Sequence, residues 1–368
     1  MKMTLKTYLD YNATAPIRPE VIALMTKVMS EVGNASSVHA HGRSARKYVE
    51  DARLQVATLC GVNADQVIFT SGATEATNTA LSEYKNDTTL ISAIEHPAVN
   101  ESLPNAIKIP VTSDGIVDMQ AYSDILNKEE TPKIISVMLV NSETGVIQPV
   151  TEMAKMAKQK GILFHTEVVQ AAGRLNIDLN KLGVDYMSLS AHKFAGPQGV
   201  GALIMREGLE APKFMRGGGQ EKNCRAGTHN TAGIAGMGLA AEIAQKNLAH
   251  YEQIETMRDD LERKLKEISN RAIIYGEKAP RVQNTTNIGV TGLPAQTQMM
   301  ALDLDGISVS SGSACSSGSF KPSHVLMAMG VSEEEAKCAL RISLGWNTKS
   351  ADIDHFIKSW SKLVKRAE

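Results

Sequence analysis

Short apolar runs alternate with amphipathic stretches along the first two thirds of the chain. The apolar runs predict β-strands at 66–70, 89–93, 133–140, 162–166, 186–190 and 200–205. The stretches between them predict helices, such as those at 75–84, 118–127 and 150–159. Nearly continuous apolar strands separated by helices are typical of a mostly parallel sheet covered on both faces. Ligands of such α/β sheets bind at the carboxyl ends of the strands, where most motifs of interest lie.

The last third of the chain predicts a second, smaller unit. A long helical stretch at 232–268 bridges the two parts, and strands are predicted at 273–275, 286–290, 308–310 and 340–343, followed by a helix at 350–364. We therefore expect a large α/β domain at 15–250 and a small α+β domain formed by 1–14 and 251–368.

Composition excludes several classes of function. Among 368 residues the formal net charge is −1, and no basic block favours binding to nucleic acid or to a membrane surface. Four cysteines lie far apart without a C-x-x-C pair, so we expect free thiols in a reducing compartment and no metal site. The polar start of the chain lacks a signal-peptide core, and the weakly polar run 232–244 is too short to span a bilayer. These features predict a cytoplasmic protein.

Lys193 follows the apolar run 186–190 and closes the sequence Ser190-Ala191-His192-Lys193. An amine at the end of a buried strand, beside a histidine, is poorly solvated, and desolvation makes it a better nucleophile toward an aldehyde. This is the setting that a pyridoxal phosphate (PLP) enzyme requires. The alternative is an ordinary surface lysine.

An anion site is predicted where the strand 66–70 turns through Gly72 into a helix. Backbone N–H groups at the helix start, with Ala73 and Thr74, form a phosphate-binding turn. Ser190 and His192 could donate to the same phosphate. Thr228 follows a glycine-rich segment and could add a hydroxyl across a dimer interface.

Three further residues suit a flat heteroaromatic ring. His96 follows the strand 89–93 and could stack on the ring and move protons, although capping of backbone groups is an alternative. Glu167 could pair with a pyridinium N–H, or simply be solvated at its strand end. Gln170 could donate to the phenolic oxygen of the ring.

A thiol and a guanidinium complete the set. Cys315 lies in a segment of small residues typical of an exposed loop, whereas Cys60 and Cys338 are expected to be buried and inert. Arg341 lies in a short apolar strand and could bind an α-carboxylate in bidentate fashion, or form a structural ion pair.

These residues together resemble the NifS/IscS-like (class I) cysteine desulfurases, which belong to the fold type I, aminotransferase-like PLP enzymes. The resemblance runs nearly end to end, and its motifs fall at 8–14, 33–39, 70–75, 95–96, 145–149, 190–193 and 225–228, with Cys315 and Arg341.

The resemblance implies a role for each candidate residue. Lys193 would carry PLP, with phosphate contacts from Ala73, Thr74, Ser190, His192 and Thr228 of the partner subunit. His96, Ser142, Glu167 and Gln170 would surround the ring, and Asn12 and Arg341 would bind the substrate. Cys315 would take sulfur from L-cysteine as a persulfide, release alanine and pass the sulfur to an acceptor protein, such as an iron–sulfur scaffold or a thiolation protein. A homodimer is implied.

Four features depart from the family pattern. Glu167 replaces the usual Asp, and its extra methylene would crowd the ring unless the backbone retreats. Val168 replaces a small residue, and Ser142 replaces an Asn that it is too short to mimic. The chain also lacks the C-terminal extension that housekeeping relatives use to dock their scaffold, so the acceptor stays open.

Two alternatives stay open, one from the fold and one from these departures. The same fold could perform selenocysteine lyase or other C–S lyase chemistry, which does not strictly require Cys315. The chain could instead be a PLP-binding paralogue with weakened activity that acts as a binding subunit, because Glu167 and Ser142 both alter the predicted site.

Overall fold

The structure is a computed structural model that describes residues 7–128, 131–210, 212–312 and 321–367. Its strands are β1 (Thr7–Tyr8), β2 (Val67–Thr70), β3 (Thr89–Ser92), β4 (Ile107–Ile109), β5 (Ile134–Ser136), β6 (Leu163–Glu167), β7 (Tyr186–Ser190), β8 (Gly201–Met205), β9 (Ala272–Ile274), β10 (Thr285–Val290), β11 (Ile307–Ser308), β12 (Ser310–Ser311) and β13 (Ala339–Ser343). Its helices are α1 (Pro19–Ser30), α2 (Ala40–Cys60), α3 (Ala73–Leu81), α4 (Pro97–Ser102), α5 (Met119–Leu126), α6 (Val150–Gln159), α7 (Leu179–Leu182), α8 (Thr231–Lys246), α9 (His250–Ile268), α10 (Ala295–Leu304), α11 (His324–Ala328), α12 (Glu333–Ala336) and α13 (Ser350–Ala367).

The largest sheet has the strand order β2-β8-β7-β6-β5-β3-β4 within the described residues. Strand β8 is antiparallel to both of its neighbours, and the other pairs are parallel. The predicted mostly parallel α/β sheet is therefore confirmed. In a parallel ladder the carboxyl ends meet at one edge, so residues after β3, β6 and β7 come together there.

Alternate side chains of this sheet enter two hydrophobic clusters, one on each face. In β2, Val67 and Phe69 join the larger cluster with side chains of α2, α6 and α8, whereas Ile68 joins a smaller cluster with Ala76 and Ala80 of α3. A period of two is the geometry of a strand. Burial on both faces explains why β2, β5 and β8 are apolar along most of their length.

A separate hydrophobic cluster lies in the last third of the chain. It combines side chains of α9, β10, β13 and α13, including the fully buried Phe356 and Trp360, and Leu9 from the beginning of the chain joins it. Strands β12, β13, β10 and β9 form a second sheet in this order. On this basis we propose the division into domains at 15–250 and at 1–14 with 251–368.

The predicted continuous helix at 232–268 is wrong in one respect, because helices α8 and α9 are separate. Asn247 ends α8: its backbone N–H donates to Ala244 O and Ile243 O, and its side-chain amide also donates to Ile243 O at 2.7 Å. An Asn side chain that competes for helical carbonyls favours termination.

The predicted strand at 308–310 is also wrong, since Val309 separates two strands that belong to different sheets. Strand β11 pairs in parallel with β1, whereas β12 pairs with β13 in antiparallel register, Ser310 lying opposite Arg341. A change of pairing partner after two residues leaves no signal in the periodicity of apolar residues.

Strand β5 is shorter than the predicted 133–140, although Val137 N and Leu139 N still donate to His165 O and Glu167 O.

A buried ion pair holds the segment that precedes Thr228. Arg53 of α2 donates two hydrogen bonds to the Glu221 carboxylate, at 2.7 and 2.8 Å, and His229 contacts the same carboxylate at 2.8 Å. Burial alone would raise the pKa of Glu221, but the hydrogen bonds from Arg53 and His229 outweigh it and lower this pKa to about 2. The pair therefore stabilises the fold above about pH 4.3 and loses this contribution as the pH falls toward 2.

Replacing Arg53 with methionine is expected to lower the free energy of unfolding by about 3 kcal/mol, because the substitution leaves the Glu221 carboxylate buried with fewer donors. Urea unfolding at pH 7 measures the loss. Arg206→Met is the matched control, since Arg206 is half-exposed and its pair with Asp185 should contribute less than about 1 kcal/mol. Equal losses in the two variants would contradict a stabilising role for the buried pair.

Candidate active site

A cavity of about 670 Å³ opens at the carboxyl edge of the large sheet. It brings together the predicted residues Asn12, Ala73, Thr74, His96, Ser142, Glu167, Gln170, Ser190, His192, Lys193 and Arg341. Thr228 is exposed and does not line this cavity in the single chain. Cys315 lies outside the described residues, but Gly312, three residues before it, lines the cavity.

The amino end of α3 forms an anion-binding turn in the cavity wall. Gly72 precedes the helix, and Ser71, Gly72, Ala73 and Thr74 line the cavity, so backbone N–H groups and the positive end of the helix dipole are available to a phosphate. Glu75, which also lines the cavity, fixes this turn: its carboxylate accepts from Ser71 N at 2.8 Å and from Arg225 Nε at 2.8 Å. The same carboxylate thereby connects the turn to the segment that carries Thr228.

Gly201 of β8 allows the phosphate turn to approach the sheet closely. A Cβ atom at this position would lie 2.6 Å from Gly72 Cα, a backbone atom that cannot move without displacing the turn. The absence of a side chain at Gly201 therefore sets the position of the predicted phosphate site.

Gly201→Ala is expected to weaken PLP binding by about tenfold or more, since overpacking of this kind costs about 1–3 kcal/mol and displaces the turn. Fluorescence titration of PLP-free protein with PLP measures the dissociation constant. Gly161→Ala is the control: a Cβ there meets no atom within 4 Å, and although the φ of +70° adds local backbone strain, the residue does not line the cavity, so PLP affinity should be unchanged. An unchanged dissociation constant in Gly201→Ala would contradict the placement of the phosphate at this turn.

Lys193 follows β7 through a short 3₁₀ turn, Ala191–Lys193. Its Nζ donates to Asn12 O at 2.6 Å and to Ala13 O at 2.9 Å, so the beginning of the chain encloses the amine. Ala195, two residues later, has a φ of 65°, a left-handed conformation that costs an alanine about 1–2 kcal/mol. Backbone strain of this kind is concentrated at functional sites.

His192 is held as a neutral imidazole. Its Nδ1 lies 3.1 Å from Thr14 Oγ1, and burial, followed by the charge of Lys193, lowers the pKa of His192 to about 4. A neutral histidine can donate one hydrogen bond to an anion in the cavity without adding a positive charge.

His96 both caps a helix and lines the cavity. Its Nδ1 accepts a hydrogen bond from Ala98 N at 3.1 Å at the start of α4, which is the capping role considered from the sequence. Because Nδ1 accepts, the proton of the neutral ring lies on Nε2. The cap fixes the orientation of the ring, so the structural role and a role at the cavity are compatible.

Glu167 ends β6 and is 6 % exposed, with its side chain in the cavity wall. No described residue donates a hydrogen bond to its carboxylate, which leaves the oxygens available to a donor inside the cavity. Its neighbour Val168 is fully buried in the large hydrophobic cluster and does not line the cavity, so this departure from the family pattern does not narrow the site.

Glu95 is a buried acid beside this site that the sequence analysis did not select. Its Oε1 accepts from Ser92 Oγ at 2.5 Å and from Met138 N at 2.8 Å, and no described residue contacts Oε2 by a hydrogen bond. Burial, and to a smaller extent the negative charge of Glu167, raises the pKa of Glu95 to about 8. Burial thus favours the protonated form of Glu95, whereas the side chain of Glu167 lines the cavity.

Arg341 faces the cavity from β13 of the second sheet. Its Nη2 donates to Asp10 Oδ1 at 2.8 Å and its Nη1 donates to Ser142 O at 3.2 Å, whereas its buried Nε has no partner among the described atoms. Asn12 Nδ2 also donates to Ser142 O, at 3.0 Å. Asp10, absent from the predicted site, thus shares the guanidinium with any carboxylate that binds in the cavity. Asp10 lies inside the motif at 8–14, but its contact with Arg341 was not predictable from the sequence because the two residues are 331 positions apart.

The prediction that Cys60 and Cys338 are buried is confirmed. Cys60 and Cys338 are buried, and burial raises the pKa of Cys60 to about 12, so its thiolate is not accessible at neutral pH. Cys224 is buried as well.

Comparisons with known proteins agree with this geometry. The profile of the aminotransferase class-V family matches residues 7–356. The chain is 38% identical to the cysteine desulfurase IscS of Dictyoglomus turgidum over 99% of this chain and 96% of that protein. It is 40% identical to a cysteine desulfurase of Sinorhizobium fredii over 98% of this chain and 96% of that protein. An X-ray structure of a NifS-like protein from Rickettsia africae superposes with a TM-score of 0.92 at 35% identity, covering 98% of this chain and 99% of that one. The chain therefore belongs to the aminotransferase class-V family and, within it, to the cysteine desulfurases of the NifS/IscS type.

Proposed function

We propose that this chain is a PLP-dependent cysteine desulfurase that converts L-cysteine to L-alanine and keeps the sulfur as a persulfide on Cys315. The observation that carries the proposal is the convergence of Lys193, the turn before α3 and Glu167 on one cavity. Arg341 and Gly312 bring the small-domain sheet, and the start of the segment that contains Cys315, to the same cavity.

The residues of the cavity fit PLP. The helix start at Ala73 and Thr74 suits a phosphate, with further donors from Ser190 and His192. Glu167 offers a carboxylate without a hydrogen-bond donor in the described chain, which suits a pyridinium N–H. Lys193 Nζ would form the covalent link to the aldehyde carbon. When bound, PLP draws electrons from Cα of an amino acid attached to it.

The chain's own groups then bind and move protons. Arg341 would hold the substrate carboxylate beside Asn12, and the Lys193 amine would remove the Cα proton once the substrate has displaced it from the cofactor. His96 lies in the cavity wall as a second group able to move a proton.

Sulfur transfer is balanced without an external oxidant. The Cys315 thiolate would attack Sγ of the substrate, so an S–S bond forms while the Cβ–Sγ bond breaks. The electron pair of the broken bond stays on Cβ, which takes a proton, and alanine leaves. The three described cysteines, Cys60, Cys224 and Cys338, are buried, which leaves Cys315 as the candidate nucleophile.

We further propose a cytoplasmic homodimer that delivers sulfur to an acceptor protein. Thr228 is exposed on a segment anchored by Glu75–Arg225 and Arg53–Glu221, which suits a hydroxyl offered to the phosphate site of a second copy. No helix in the described residues combines the length and hydropathy needed to cross a membrane.

The test is incubation of the PLP-loaded protein with L-cysteine. We expect alanine and, with a reductant present, an equal amount of sulfide. Without reductant, mass spectrometry should detect an adduct of about +32 Da on Cys315. PLP binding without any alanine would support the alternative of a binding subunit and reject this proposal.

A further inference from the structure

The side-chain amide of Gln170 is held in one orientation by two neighbours. Its Oε1 accepts from Arg174 Nη1 at 2.6 Å, and its Nε2 donates to Asn12 O at 3.1 Å. A guanidinium only donates and a backbone carbonyl only accepts, so chemistry itself assigns which end of the amide faces each neighbour.

This orientation determines what Gln170 offers to the cavity. The oxygen is occupied by Arg174, while Nε2 carries two hydrogens and uses one of them for Asn12 O. Gln170 lines the cavity, so it presents a donor to an occupant rather than an acceptor. Asn12 O also accepts from Lys193 Nζ at 2.6 Å, and the same carbonyl therefore contacts both Gln170 and the proposed cofactor lysine.

Arg174 is itself an unusual buried group. It is 3 % exposed, and no described carboxylate lies within salt-bridge distance of it. Its Nε has no hydrogen-bond partner among the described atoms. A buried cation without an anionic partner costs free energy. Gln170, which accepts a hydrogen bond from Arg174 Nη1, is a residue of the cavity, which points to a functional reason for the cost.

A small cavity connects Arg174 to the beginning of α9. It has a volume of about 20 Å³, enough for one water molecule, and Arg174, Lys193 and Tyr251 are among its lining residues. Burial lowers the pKa of Arg174, and contact with Tyr251 opposes this effect. The guanidinium is thus fixed between Gln170 on the cavity side and Tyr251 of α9 on the other.

We propose that Arg174 is a positioning residue that holds the Gln170 amide with its N–H directed at the ring oxygen of PLP. The inference rests on the proposed function. Without Arg174 the amide loses the partner of its oxygen and can rotate, so the ring oxygen receives a weaker or absent hydrogen bond. A donated hydrogen bond stabilises negative charge on the ring oxygen. The proton that this oxygen shares with a neighbouring atom is then held less tightly, so its pKa falls.

The test is a pH titration of the visible absorbance of PLP-loaded protein in the absence of substrate. Arg174→Met is expected to raise the midpoint of this titration by about one pH unit. A shift of this size corresponds to the free energy lost when a charge-assisted hydrogen bond is weakened. Arg174→Lys keeps a donor for Gln170 Oε1 and should stay within about 0.3 units of the wild type. Gln170→Glu replaces the N–H donor with a carboxylate and should raise the midpoint by at least as much as Arg174→Met, so the idea remains testable if Arg174→Met does not fold.

A double substitution separates positioning from general destabilisation. In a Gln170→Leu background, Arg174→Met should cause no further shift of the midpoint, since Arg174 acts through Gln170. Arg258→Met is the matched control: Arg258 is 5 % exposed and donates to Val282 O, remote from the cavity, so its loss should lower stability without moving the midpoint.

An unshifted midpoint in Arg174→Met, or equal shifts from Arg174→Met with and without Gln170, would overturn the inference. An unshifted midpoint in Gln170→Glu would overturn it as well. These measurements use no substrate, and alanine formation by the wild type is assayed separately. Failure of the positioning role is therefore distinguishable from failure of the desulfurase proposal.

Discussion

Replacing Lys193 with alanine is expected to reduce alanine formation from L-cysteine by at least about 10³-fold. The substitution removes both the nucleophile for the cofactor aldehyde and the proposed base for the Cα proton, and a positioned base alone contributes about 10²–10⁴-fold. It also removes the hydrogen bonds to Asn12 O and Ala13 O. Alanine is measured by chromatography at saturating PLP, so that weaker binding of the cofactor does not account for the loss.

Lys181→Ala is the matched control for this prediction. Its side chain is 78% exposed and pairs with Asp178, the residue that caps α7, so activity should be unchanged. Thermal unfolding of both variants separates loss of chemistry from loss of structure. A Lys193→Ala protein that retains a tenth or more of the wild-type rate would contradict the role of Lys193.

The second large effect is expected for Cys315→Ala. Both alanine formation and the persulfide should disappear, since no other thiol of the described chain is accessible, while the change in visible absorbance on adding L-cysteine should persist. This combination separates loss of sulfur transfer from loss of substrate binding. Quantification of alanine in parallel with stopped-flow absorbance provides both measurements.

Cys338→Ala is the control, because Cys338 is 5 % exposed and should affect stability more than rate. Full desulfurase activity in Cys315→Ala would contradict the proposed mechanism. If Cys315→Ala lost activity on L-cysteine but retained it on selenocysteine, the lyase alternative would be favoured instead.

The sheet was predictable because its signal is local. Each of the strands β2, β3, β6 and β7 contains a short apolar stretch, and the site residues Glu167, Ser190 and Lys193 lie at or just beyond the end of a strand. Parallel pairing then brings them together without further information. The break at Asn247 and the change of sheet at Val309 depend on hydrogen bonds and partners that periodicity does not record.

The partners of the site residues were not predictable. The contact between Asp10 and Arg341 joins positions 331 apart, and the orientation of Gln170 depends on Arg174 and Asn12 together. Val168 was noted only as a replacement of a small residue, and the structure buries it in the large cluster just beyond the end of β6, away from the cavity that Glu167 lines. Such contacts depend on how the hydrophobic clusters pack against one another. The pattern of apolar and polar residues along the sequence does not contain this information.

The attachment of the cofactor is tested most directly by borohydride reduction of the PLP-loaded protein, followed by proteolysis and mass mapping of the labelled peptide. Reduction converts a covalent link between an amine and the aldehyde into a stable bond. The account predicts one pyridoxyl label, on Lys193. A label on a different lysine, or no label on protein that has been shown to contain PLP, would contradict it.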